Sequence, residues 1–96
     1  MKLFAIRDMK AQTYLRPTIS PSTADALRNF EIVSNEGDSM ISRFPNDFRI
    51  YHLADFDPIT GVLDVLERPS DLGSAADFKK QSAPTPMFSQ PASATS

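Results

Sequence analysis

The stretch FPNDFRIYHLADFDPITGVLDVL, residues 44–66, constrains this chain most, because two strand-like runs flank a turn whose residues answer to backbone geometry. Asp57-Pro58 opens the turn, since the proline ring presets φ near −65°, and Gly61 closes it by taking the positive φ that returns the chain as a bulge-type hairpin. The spacing predicts strands over Phe48–Phe56 and residues 62–66.

Before the hairpin, the residues 2–8 alternate Lys2, Phe4, Ile6 and Asp8 against Leu3, Ala5 and Arg7, which predicts a strand tied into a sheet. A polar bend then leads to residues 13–19, β-prone in their early part. Pro17 offers no ladder donor there, so this run is expected at an edge or as an outgoing arm. Ser20 or Ser22 can cap a helix that reaches about Ser34. Ala26, Phe30 and Val33 fall at i, i+4 and i+7 with Leu27 beside them, a stripe that covers one sheet face, while Asp25, Arg28, Asn29 and Glu31 point outward. Asn35 or Gly37 is expected to end the helix in a left-handed conformation. Residues 39–43 suit a single turn before Pro45, and Pro69-Ser70-Asp71 suits the start of a short helix through Phe78, weakened by Gly73.

The expected fold is therefore α+β: a small single domain over residues 1–80, ββαββ, with one helix packed on a mostly antiparallel sheet. Leu3, Ala5, Leu27, Phe30, Val33, Ile50, Leu53, Val62 and Leu66 are the expected core. Residues 81–96, QSAPTPMFSQPASATS, have almost no charge and no periodicity, which predicts a disordered Ser/Ala/Pro-rich tail.

Composition narrows the chemistry. The chain of 96 residues has no cysteine, so neither a disulfide framework nor a thiolate metal site is available. No apolar run approaches the roughly 18 residues of a spanning helix, and neither a signal peptide nor a membrane anchor is expected. A formal net charge of −2 argues against a whole-surface polyanion binder and leaves room for a local basic patch from Lys2, Arg7, Lys10 and Arg16. The plainer reading of those cations is a solvated, aggregation-resistant sheet edge.

Three constellations invite chemistry. His52 lies within a strand with no recognisable triad spacing around it, so a half-buried sheet histidine is expected and no catalytic residue is assigned. Asp55, Asp57, Asp64 and Glu67 flank the hairpin and are of the type that takes Mg²⁺ or Ca²⁺, but their spacing departs from a calcium loop. The plainer reading has Asp57 holding the turn and the other acids solubilising; no metal or cofactor is expected. Aromatic residues interleaved with cations are the material of a single-stranded nucleic-acid platform, where rings stack on bases and cations follow the backbone. Lys2, Arg7, Tyr14, Arg16, Arg49 and Tyr51 are the candidate nucleic-acid-binding residues. Phe4 and Phe48, next to some of them, more often belong to a core.

The opening MKLFAIRDMKAQTYLRP, the helix ADALRNFEIVSN, the segment SMISRFPNDFRIYHLADFDPITGVL and the late ADFKK, in that order, resemble the small nonstructural protein of the gokushoviruses, single-stranded DNA phages of the Microviridae. The resemblance spans most of the first eighty residues. It implies a nonstructural phage accessory protein, not an enzyme, made in the host bacterial cytoplasm and absent from the mature virion. By that resemblance it assists viral genome replication or single-stranded DNA production. Its expected partners are single-stranded DNA, or the phage replication initiator and host replication proteins. The family carries no catalytic or metal residues across. A second reading is a protein-interaction module that self-associates through an edge strand or docks on a replication protein without touching nucleic acid. A third is a small metal-dependent hydrolase built on the hairpin acids.

Overall fold

The computed structural model describes residues 1–80; the tail expected over residues 81–96 lies outside them. Five strands, β1 (Lys2–Asp8), β2 (Thr13–Tyr14), β3 (Thr18–Ser20), β4 (Phe48–Phe56) and β5 (Leu63–Ser74), form one sheet in which every pairing is antiparallel. The order across it is β2-β1-β4-β5, with β3 also pairing with β1. The run of residues 13–19 is thus an edge, as its proline requires, broken into two short strands around residues 15–17. Helix α1 (Thr23–Ser34) packs on one face, joined by the single turn α2 (Met40–Arg43), a 3₁₀ turn (Pro45–Asp47) and the closing turn α3 (Ala75–Phe78).

The helix starts where its chemistry allows. The Ser22 hydroxyl, not that of Ser20, accepts the Asp25 amide at 3.2 Å. Its end departs from expectation: Asn35 has φ −111°, and the only non-glycine with positive φ among the described residues is Gln12. The Asn35 side chain instead donates to the carbonyls of Glu31 at 2.7 Å and Phe78 at 3.1 Å, and accepts the Lys80 amide. A side-chain amide that ties two elements together replaces the left-handed cap.

Directly paired residues share a sheet face, so the register assigns the faces. Phe4 opposite His52 and Ile6 opposite Ile50 face α1; Ala5 opposite Tyr51 and Arg7 opposite Arg49 face away. The core is Phe4, Ala26, Phe30, Ile41, Phe48, Ile50 and Ala75, ringed by Ile6, Leu27, Val33, Leu72 and Phe78. Phe30 is 2% exposed and meets the Phe78 ring edge-on at 5.4 Å; such burial stabilises by about 1.5–3 kcal/mol. Of the expected core, Phe30 and Ile50 belong to it, Leu27 and Val33 flank it, and Ala5 is buried at 3% exposure. Leu3 lies on the opposite face with Ala5, and Val62 is 59% exposed. Both alternating sets of β1 are rich in apolar residues, and the aromatic set won the helix.

The second hairpin strand departs most. It begins at Leu63 and runs to Ser74, through the segment expected to be helical from Pro69; only Ala75–Phe78 is helix. Ala54 pairs with Val65 and His52 with Ser70, so Leu53 opposes four residues, 66–69, in a wide bulge. The bulge takes in Pro69, which has no amide to donate, and the ladder resumes beyond it. The turn itself follows expectation: Gly61 has φ 79°, its amide donates to the Asp57 carbonyl at 2.7 Å, and the Asp57 carboxylate accepts the Ile59 amide at 2.9 Å.

Candidate nucleic-acid interface

The sheet face away from α1 gathers four of the six candidate residues. Arg7 stands opposite Tyr14 on one side and Arg49 on the other, and Tyr51 is the second residue along from Arg49 in β4. The Arg7 guanidinium lies 5.0 Å from the centroid of the Tyr14 ring, within cation–π range. The rings of Tyr14 and Tyr51 meet edge to face at 5.7 Å and 77°. The Tyr51 hydroxyl approaches the Met9 sulfur at 4.0 Å, in the turn that also carries the exposed Lys10. Arg49 bonds through Nε to Asp71 at 2.9 Å, which orients its guanidinium and offsets part of its charge. Alternation in β1 and β4 makes this cluster: the residues that send Phe4, Ile6 and Ile50 to the helix leave Arg7, Arg49 and Tyr51 on the other side.

The other two candidates are elsewhere. Lys2 pairs with Asp55 at 3.2 Å at the hairpin end of the helix-covered face. Arg16 falls in the break between β2 and β3 and lines a cleft of about 150 Å³ between α1 and the sheet, with Phe4, Ala26 and Phe30. The four cations do not converge; two of them do.

His52 is a half-buried sheet residue, 15% exposed in its side chain and 5.2 Å from the Phe4 ring. Its Nε2 lies 2.9 Å from Asp55 Oδ1 and 3.2 Å from the Ala54 carbonyl. The sequence hid this partner because a residue three along a regular strand points to the other face; the Leu53 bulge restores Asp55 to the side of His52. The same Asp55 oxygen meets Lys2, and hydrogen bonds from Lys2 first and His52 second hold its carboxyl below the ordinary 3.8. Asp57 is lowered as well, chiefly by the Ile59 amide, the turn-holding role expected of it. Asp55, Asp57 and Asp64 border an open hollow of about 650 Å³ beside Lys2. Among the described residues no group of three or more His, Cys, Asp or Glu is placed to hold a metal ion.

Three features of the site were missed at the sequence level: Asp71 as the partner of Arg49, Met9 beneath Tyr51, and the His52–Asp55 pair. A strand prediction continuing past Leu66 is the signal that would have found Asp71.

No curated protein and no solved structure matches the chain significantly. A family model described as Phage ORF5 protein does match, over residues 1–78, which takes in every strand and helix described above. The helix stripe, the DFDPITG turn and the Tyr14–Arg7–Arg49–Tyr51 face all lie within that span, and the chain belongs to the Phage ORF5 protein family.

Proposed function

We propose that this phage protein is a non-enzymatic accessory of genome replication that binds single-stranded DNA weakly through the open sheet face. The observation that carries the reading is the pair of tyrosines, Tyr14 and Tyr51, set edge to face beside the cross-strand pair Arg7 and Arg49 on the side of the sheet that α1 leaves uncovered. Tyrosine rings stack on any base, and cations beside them follow the phosphates, so the arrangement suits an unpaired strand without sequence preference. Gokushovirus-type nonstructural work in the host cytoplasm, outside the finished shell, is the setting suggested by the order of sequence segments. His52 is engaged by Asp55, which Lys2 also holds, and none of the three stands on the tyrosine face.

Fluorescence anisotropy with a labelled oligonucleotide tests this. Stacking contributes about 1–3 kcal/mol per base, so Tyr51→Ala is expected to weaken binding by roughly 5- to 160-fold. Arg7→Gln is expected to flatten the salt dependence by about 0.7 in the log–log slope, the value for one single-strand phosphate contact. Lys2→Gln and Arg16→Gln, off this face, serve as controls of unchanged affinity. An oligonucleotide that fails to bind even at low salt defeats the reading and favours the protein-interaction alternative.

A further inference from the structure

The open face has a second half. Leu3 pairs with Ile19 on one side and Ala54 on the other, and Ala54 pairs with Val65, so an uncharged row of four apolar residues crosses the sheet from edge to edge. Leu63, two residues before Val65, continues it toward the hairpin loop. Ile19 and Leu63 are 50% exposed and Val65 is 66% exposed, while between the two edges Leu3 is half-buried and Ala54 is 1% exposed. Single exposed apolar residues need no explanation, but an uncharged row that crosses one sheet face and is exposed at both edges suits an interaction surface.

We infer that this face packs against the same face of a second copy of the chain, with the two-fold axis perpendicular to the strands. Charge sets that orientation. Arg7 and Lys10 lie at the end of the sheet where β1 finishes, beside an Arg49 already paired with Asp71, while Asp57 lies in the hairpin loop at the far end. A two-fold axis parallel to the strands sets the cationic ends on each other; one perpendicular to them sets each cationic end over the partner's hairpin end and lets the apolar rows meet between. Area sets the extent. Four strand positions at about 4.8 Å and the nine residues of β4 at about 3.3 Å give a projected face on the order of 600 Å². A stable interface takes about 800 Å² of accessible surface per partner. A face with rough side chains reaches that value only when nearly all of it is covered, so the contact includes Tyr14 and Tyr51. The face suits this packing better than the β5 edge does, because the bulge at residues 66–69, Pro69 and the charges of Glu67 and Arg68 blunt that edge. Resting in this respect on the DNA reading above, self-association and strand binding compete for one surface.

Sedimentation velocity on the full chain across a hundredfold range of concentration tests the packing. The expected result is a concentration-dependent dimer, shifted at least tenfold toward monomer by Ile19→Asn or Val65→Asn and unmoved by Ile32→Asn, which lies on the exposed side of α1. Circular dichroism and a thermal melt on each variant identify any that has lost its fold, and the two row positions check each other. A monomer at every concentration, or a dimer untouched by both row variants, overturns the proposal. In the anisotropy assay the two row variants are expected to bind oligonucleotide more tightly than the wild type. A DNA-free dimer sensitive to the row supports the packing and defeats only the DNA reading.

Discussion

Gly73 is the glycine with the least freedom to change among the described residues. Its φ of 130° suits few L side chains, and a Cβ there would sit 3.2 Å from the Phe78 ring and 3.3 Å from the Asp77 carboxylate. Gly73→Ala is expected to destabilise by about 1–3 kcal/mol in urea unfolding, whereas Gly37→Ala, where a Cβ meets nothing within 4 Å, leaves the midpoint close to wild type. Asp55 and Asp57 contribute to the acid limb. Their folded-state pKa values lie below the ordinary 3.8, so the stability they contribute is fully present above it and drains away as pH falls through the folded values. Calorimetry on acidification is expected to show the wild-type midpoint dropping more steeply below that value than the midpoint of Asp57→Asn, whose side chain carries no titrating charge.

At the scale of elements, α1 depends on its cap and its stripe. Ser22→Ala removes the acceptor of the Asp25 amide and is expected to cost about 0.5–2 kcal/mol in chemical denaturation. Phe30→Ala empties a site closed by Phe4, Ala26 and Phe78, with an expected loss of about 3–5 kcal/mol, a large share of what a domain this size possesses. β5 is the element whose sequence conceals it. Its first residues alternate, but Glu67-Arg68-Pro69 reads as a stop, and only pairing on both sides of the bulge makes residues 70–74 strand again. Asp71 reaches Arg49 because of that return.

At the scale of the molecule, the sheet divides labour between its faces. One face and α1 hold the core; the other carries aromatic and cationic residues at one end and apolar ones at the other. The core residues named here fall between Phe4 and Phe78.

Local chemistry was enough to determine the turn at Asp57-Pro58 and Gly61, strands β1 and β4 to the residue, the α1 stripe and the antiparallel α+β class, because proline, glycine and hydrophobic period act over a few neighbouring residues. The gathering of Arg7, Tyr14, Arg49 and Tyr51 was decided by cross-strand register, as was the separation of Lys2 and Arg16 from them. In β1 the choice between two apolar alternations went to Phe4 and Ile6, because those side chains fill the space against Phe30 and Ile50. The meeting of His52 with Asp55 hangs on a bulge that no local propensity announces. Which face a side chain occupies depends on partners distant in the chain, and that information is present only once the sheet has closed.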